Sequence, residues 1–180
     1  METPTTLKQV LLDETEKAYS VTAHLFHKVN DSELSWKPAI GKNWMTMGQL
    51  LMHCASYGFG KAVQGFVTGD WGPVPDEEPG DKDTSYHLPP AEDLPCVDRV
   101  EKAIKLLEED KNLAINCIQE VDEADWLSRK IMAPWGVREM SLFQQILNML
   151  AHLVQHKGQL FYYLKLMGKE VNTADLWGEV

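Results

Sequence analysis

The stretch MLAHLVQHKGQL, from Met149 to Leu160, places two histidines four residues apart in an otherwise apolar segment. On a helix this spacing aims His152 and His156 to the same side, one turn apart. Zinc proteases use the same spacing in H-E-x-x-H, where the glutamate is the general base. Leu153 stands at the glutamate position here. The pair therefore indicates either a metal site of another kind or two hydrogen-bonded structural histidines.

Helical periodicity dominates the chain, and the alternating pattern of strands is scarce. Apolar residues recur at helical spacing in a first helix from about Thr5 to Lys28 and in a third from about Pro95 to Gln119. Between the second and third helices lies Gly69–Pro95, which carries six of the nine prolines. A loop of that length is unusual in a compact domain, and it indicates either a functional cover or partner contact, or an excursion without a role.

The second and fourth helices each begin with a capping box of the S/T-x-x-E/Q type. Thr46 pairs with Gln49 to open a helix that is predicted to reach about residue 67. Ser141 pairs with Gln144 to open a helix that reaches about residue 167, where Gly168 ends it. The halves of the chain are alike in order, with a long helix, a Trp-containing loop and a capped helix. This likeness predicts paired helical hairpins in an all-α four-helix bundle.

The chain length and composition are those of one ordinary domain, residues 1–180, of which 44% are hydrophobic. A net charge of -10 repels phosphate backbones and anionic lipid, so we expect neither nucleic acid nor a membrane as a partner. The N-terminal segment lacks the pattern of a signal peptide. Cys54, Cys96 and Cys117 are odd in number and share no C-x-x-C spacing, which favours reduced thiols and a cytoplasmic location.

A third histidine lies on the other capped helix. His53 belongs to the thin polar stripe of the second helix, between Leu50 and Tyr57. Facing helices of a bundle often build metal sites in this way, so His53 strengthens the metal interpretation of the pair. Asn148 takes the position of His53 when the two capping boxes are aligned, and it is interpreted as an ordinary polar helix position. Surface or hydrogen-bonded roles are expected for the other histidines, and no role is assigned to four aromatic residues: His24, His27 and His87; Trp71, Tyr86, Trp135 and Trp177.

Two stretches resemble the DinB-like bundle proteins, a family that also includes YfiT-like hydrolases and thiol transferases. They are WMTMGQLLMHCASY, residues 44–57, and QQILNMLAHLVQHKGQLFYYLKLMG, residues 144–168. The second is the more specific, with H-x-x-x-H-x-G-Q-L followed by an aromatic residue, a leucine and a terminal glycine. ADLWG at residues 174–178 is also similar to the family. The resemblance implies a DinB/YfiT-like four-helix bundle whose two hairpins are joined by a long crossover connection.

The same resemblance implies a divalent transition metal held by His53, His152 and His156. Imidazole ligands suit zinc, nickel, iron and copper, and affinity order alone does not choose among them. We expect zinc or nickel, with iron as a further candidate. The implied function is that of a metal-dependent thiol S-transferase, in which a low-molecular-weight thiol is a second cofactor and a small molecule is the substrate. The alternatives are a metal-dependent hydrolase and a stress-associated protein that binds metal or a small molecule without turnover. No catalytic residue can be assigned from the sequence.

A homodimer is the expected assembly. The second and fourth helices are apolar around most of their circumference, and exposed apolar strips favour a partner. Closed twofold pairing is the commonest arrangement, and relatives in the family resemble dimers. The long segment at residues 69–95 is expected near that contact or over the metal.

Overall fold

The structure, a computed structural model, describes residues 5–56, 59–71, 89–136 and 138–179. Five helices build most of it. They are α1 (Leu7–Phe26), α2 (Met47–Ser56), α3 (Gly60–Thr68), α4 (Val100–Glu120) and α6 (Leu142–Leu166).

The bundle has four helical positions, although five helices contribute to it. The α4 and α6 helices each pack against α1, and each also packs against α2 and α3. The short helices α2 and α3 therefore share one position of the bundle, and their apolar faces join a single buried cluster with those of the long helices. The predicted all-α four-helix bundle is confirmed, and its shape follows from the amphipathic periodicity of the long helices.

The pairing of the helices differs from the predicted hairpins. The main partners of α1 are α4 and α6, and α2 makes its main contacts with the same two helices. The connection at residues 27–46 is long enough to cross the bundle, so sequence neighbours need not pack side by side. Residues 69–99 join α3 to α4, and 72–88 lie outside the described residues, so the expected place of that long segment stays a prediction.

The second predicted helix is present as two helices, and a residue of α4 holds the start of the second one. Ser56 ends α2 and Gly60 begins α3, although the apolar pattern continues. The backbone N–H of Gly60 donates to Oδ2 of Asp110, which is buried in α4 and also accepts from the hydroxyl of Tyr19. A buried carboxyl group at the first turn of α3 satisfies donors that have no partner within a helix. The start of α3 is thus held by a residue fifty positions away along the chain.

The start of α2 is held on two sides. Its first N–H groups donate to the carbonyl oxygens of the preceding loop, Met47 N to Trp36 O at 2.7 Å and Gly48 N to Leu34 O at 2.8 Å. On the other side, a Cβ atom at Gly48 would lie 2.5 Å from the Sγ atom of Cys96. The segment before α4 is therefore extended against α2, which explains why α4 begins at Val100 and not near residue 95 as predicted.

Short elements complete the fold. The α5 helix (Asp125–Ser128) leads into a two-stranded antiparallel ribbon of β1 (Lys130–Ile131) and β2 (Met140–Ser141), which the sequence analysis did not predict. The capping boxes predicted for α2 and α6 are both present: Thr46 N donates to Gln49 Oε1, and Ser141 N to Gln144 Oε1.

The α7 helix (Thr173–Trp177) closes the described chain. Its Asp175 is buried and pairs with His24 of α1 and with Lys28 just after α1, at 2.7 Å and 3.3 Å between nitrogen and oxygen. In the part of the chain that the structure describes, no helix has both the length and the apolar character needed to cross a membrane.

Candidate metal centre

Three imidazole rings meet between α2 and α6. His53 projects from α2, and His152 and His156 project from successive turns of α6. The Nε2 atoms of His53 and His152 lie 3.0 Å apart, and one nitrogen from each ring falls within 4.8 Å of the other two. Each side chain is half-buried. The structure thus brings together the three histidines that were predicted as metal ligands from the sequence.

Burial keeps these rings neutral near pH 7. It lowers the pKa of His53 to about 4, with a further contribution from the neighbouring His156 and His152. The pKa of His152 is lowered by burial and by His156, and that of His156 is lowered mainly by burial. Taking a cationic ring out of water is costly, so each ring favours its neutral form. A neutral imidazole has the free lone pair that a metal ligand needs.

The donor set fits a divalent transition metal. At metal–nitrogen distances of about 2.0–2.1 Å, two ligands of one ion lie about 2.9–3.4 Å apart for bond angles between 90° and 109°. The separation of 3.0 Å between the Nε2 atoms of His53 and His152 falls in that range. Among the described residues, the cluster contains the three histidines and no carboxylate or thiol. Three protein ligands leave coordination positions for water or substrate, as in catalytic sites.

A glutamine supports one of the rings. The Nδ1 atom of His156 lies 3.0 Å from Oε1 of Gln159, one turn further along α6. The Gln159 side chain continues to the hydroxyl of Tyr163, which reaches the backbone at Met45. Gln159 had no predicted role, although it belongs to the quoted H-x-G-Q-L motif. Its spacing of three from His156 is the signal that a search for supporting residues would have used.

Two neighbours of the ligands take no part in the cluster. Burial raises the pKa of the Cys54 thiol to about 12, so it stays protonated and inert despite its position next to His53. Asn148 is exposed, and its amide group contacts the sulfur of Met140 at 3.6 Å. Cys54 is thus a buried structural thiol, and the interpretation of Asn148 as an ordinary polar helix position agrees with its placement.

The remaining histidines and aromatic residues lie away from the cluster or outside the described residues. His24 pairs with Asp175, and His27 is exposed at the end of α1. Trp71 and Trp135 pack against each other with ring centroids 5.5 Å apart. Trp177 is exposed on α7, and His87 and Tyr86 fall within residues 72–88.

Comparison with known proteins agrees with this architecture. A sequence profile described as the DinB superfamily matches residues 14–160, which include all three clustered histidines. The chain belongs to the DinB superfamily. The matched range runs from α1 into α6 and thus contains both helices that carry the cluster.

Solved structures of the DinB type share the fold. A DinB-like protein from Bacillus subtilis is 20% identical, with a TM-score of 0.64, and the alignment covers 91% of this chain and 95% of that one. A second, from Bacillus cereus, is 16% identical, with a TM-score of 0.63 and coverages of 90% and 93%. A mutant of the mycothiol-dependent maleylpyruvate isomerase is 12% identical, with a TM-score of 0.55 and coverages of 96% and 67%. Comparison with curated protein sequences gave no match.

Proposed function

We propose that this protein is a metal-dependent thiol S-transferase. His53, His152 and His156 hold a divalent transition metal, with zinc or nickel favoured and iron next, and a low-molecular-weight thiol is the co-substrate. The observation that carries the proposal is the convergence of three neutral imidazole nitrogens in a half-buried cluster that contains no further ligand among the described residues. The similarity of the fold to an isomerase that depends on mycothiol supports the choice of a thiol.

The chemistry requires a thiolate near an electrophile. When bound, the ion would lower the pKa of a thiol or a water molecule and polarise a substrate atom. In the transfer, the thiol sulfur forms a bond to an electrophilic carbon, the leaving group departs with the electron pair of the broken bond, and the thiol proton passes to water. The three imidazoles contribute neutral ligands, and their burial keeps them unprotonated at pH 7.

Thiol transfer is favoured over hydrolysis by the composition of the cluster. Attack by water usually needs a general base within hydrogen-bond reach of the proton it removes. No carboxylate joins the three histidines among the described residues. A thiol of ordinary pKa near 8.5 gives up its proton far more readily than water does, so it needs less help from a base.

The first test is the metal content of protein that is purified without a metal-affinity tag. We expect about one divalent ion per chain in the wild type and strong depletion in His53→Ala, His152→Ala and His156→Ala, because losing one ligand leaves a weaker chelate. His27→Ala is the matched control, since His27 is exposed at the end of α1 and lies outside the cluster. Unchanged metal content in all three variants would rule out this site.

The second test separates the possible functions of the same site. Metal-loaded and metal-depleted protein are compared on a panel of thiols and small electrophiles, with each electrophile also tested without thiol. Turnover that requires both metal and thiol supports the transferase. Metal-dependent turnover without thiol indicates a hydrolase, and stoichiometric metal without turnover indicates a binding protein.

We also propose a twofold dimer through the outer face of α6. An apolar stripe of Leu147, Ala151, Val154, Gly158 and Tyr162 runs along this helix on the side away from the clustered histidines. In an antiparallel pair of α6 helices centred near Val154, the small residues Ala151 and Gly158 permit close approach, and Leu147 packs against Tyr162 of the second copy.

The charge of α6 supports a second copy of this chain as the partner that binds this face. The α6 helix contains no aspartate or glutamate, although the whole chain has a net charge of -10. Two α6 helices can therefore meet without the repulsion that other faces of the protein would produce.

A cytoplasmic location also remains our proposal, and it is supported by the free state of Cys54, Cys96 and Cys117.

A further inference from the structure

A chain of hydrogen bonds joins the candidate metal centre to the backbone in front of α2. His156 Nδ1 lies 3.0 Å from Gln159 Oε1, Gln159 Nε2 lies 3.1 Å from Tyr163 Oη, and Tyr163 Oη lies 3.1 Å from the carbonyl oxygen of Met45. Tyr163 is only 2% exposed. Trp36 and Trp44 pack edge-on against its ring, with centroids 5.2 Å and 6.2 Å away, so the end of this chain is fixed in place.

The carbonyl of Met45 sets the direction of every bond in the chain. A carbonyl oxygen only accepts, so the hydroxyl hydrogen of Tyr163 must be donated to it. That hydroxyl has no second hydrogen, and its oxygen therefore accepts from the NH₂ group of Gln159. The amide oxygen of Gln159 then faces His156. Because this oxygen can only accept, the hydrogen of the neutral imidazole must sit on Nδ1.

We propose that Gln159 is a positioning residue that holds His156 as its Nδ1–H tautomer. The Nε2 atom of His156 then keeps its lone pair and is the nitrogen of this ring that can bind a metal. This inference rests on the proposed metal site for its consequence but concerns the tautomer of the metal-free ring. Partners behind a metal ligand orient it and increase its basicity, and their loss typically costs about 10–100-fold in metal affinity.

The tautomer is measured directly in metal-free protein. Imidazole ¹⁵N chemical shifts, recorded at pH 8 where the rings are neutral, distinguish Nδ1–H from Nε2–H. We expect Nδ1–H at His156 in the wild type and in Gln159→Glu, whose carboxylate is also an acceptor. In Gln159→Leu, which has no acceptor, we expect Nε2–H to become populated. Gln155→Leu is the matched control, because Gln155 is exposed on the same helix, next to His156.

Metal affinity gives the second readout. Competition with a chromophoric chelator measures the dissociation constant for zinc, which we expect to rise about 10–100-fold in Gln159→Leu and to change little in Gln159→Glu and Gln155→Leu. Helical content by circular dichroism checks that each variant folds.

The outcomes separate this inference from the proposed function. A wild-type His156 that is mainly Nε2–H, or a tautomer that is unaffected in Gln159→Leu, would overturn the inference. Zinc binding in Gln159→Leu as tight as in the wild type would also overturn it. If the wild type shows Nδ1–H, loses it in Gln159→Leu and yet binds no divalent metal, the role of Gln159 stands and the proposed function fails.

Discussion

Replacement of Gly60 by alanine tests the contact that holds the start of α3 against Asp110 of α4. A Cβ atom at Gly60 would lie 2.3 Å from the backbone oxygen of Asp110 and 2.7 Å from its Oδ1 atom. The nearer atom belongs to the backbone of a long helix and cannot rotate away. Relief therefore requires α3 to move away from α4 by roughly 1 Å, since ordinary van der Waals contact with carbon begins at about 3.4 Å.

Three terms set the size of the effect. Overpacking of this kind costs about 1–3 kcal/mol. The same movement weakens the hydrogen bond from Gly60 N to Asp110 Oδ2, which is 2.9 Å long and buried, at a cost of about 1–3 kcal/mol. Alanine returns about 0.5–1 kcal/mol through its better helix propensity. Together these ranges lower the free energy of unfolding by about 1–5 kcal/mol, and the middle of the range, about 3 kcal/mol, corresponds to about 6–12 °C in melting temperature for a chain of this size.

Urea unfolding followed by circular dichroism measures the change. Lys61→Ala is the matched control: it introduces the same residue at the next position of α3, where the side chain is exposed, and we expect a change within about 0.5 kcal/mol. A Gly60→Ala variant as stable as the wild type would show that the approach of α3 to α4 is looser than these distances indicate, and the reasoning would fail.

Three further predictions concern metal, pH and assembly. Zinc at a hundred times its dissociation constant should stabilise the wild type by about 2.7 kcal/mol, seen as a rise of about 5–10 °C in a thermal melt that His53→Ala lacks. The pKa of Asp175 is lowered to about 2, chiefly by its hydrogen bond with His24. The ionised Asp175 therefore stabilises the folded state fully above the pKa of aspartate in the unfolded chain, near 3.9, and this stabilisation is lost as the pH falls towards 2. Asp175→Asn should therefore lose about 1 kcal/mol in urea unfolding at pH 7, and the difference should shrink between pH 4 and pH 2. Light scattering should give about twice the single-chain mass of 20.4 kDa for the wild type and 20.4 kDa for Ala151→Glu. The control Asn112→Glu, which adds the same charge on α4, should stay dimeric. A wild type at 20.4 kDa would exclude the dimer.

Local patterns in the sequence predicted the features that depend on near neighbours. The capping boxes that begin α2 and α6 join residues three apart, and both are confirmed. The four-helix architecture also followed from periodicity, because each apolar face needs a partner. Which helices would pack together was beyond these patterns, since residues 27–46 have the length to cross the bundle.

The features that sequence reasoning missed depend on distant partners. Nothing near Gly60 in the sequence indicates that Asp110 will accept a hydrogen bond from the first N–H group of α3. The extended segment before α4 is likewise fixed by contacts with Gly48. For the site, spacing alone paired His152 with His156, but the meeting of these two with His53 required a resemblance to a known family. Gln159 stayed unassigned because its role depends on a hydroxyl group and a carbonyl group outside its own turn.

The geometry of the candidate centre depends on how firmly α2 is fixed against α6. His53 lies in a helix of only ten residues, so small shifts at either end would move its ring relative to the two histidines of α6. Backbone hydrogen bonds to the preceding loop hold the first turn of α2, and the bond from Tyr163 to Met45 ties the residue just before that turn to α6 itself. Beyond the other end, Asp110 fixes the start of α3. A site assembled on rigid elements can hold its ligands within the fraction of an ångström that metal binding needs. The same hydroxyl accepts from Gln159, so Tyr163 both ties α6 to the backbone before α2 and fixes the orientation of the amide group that contacts His156.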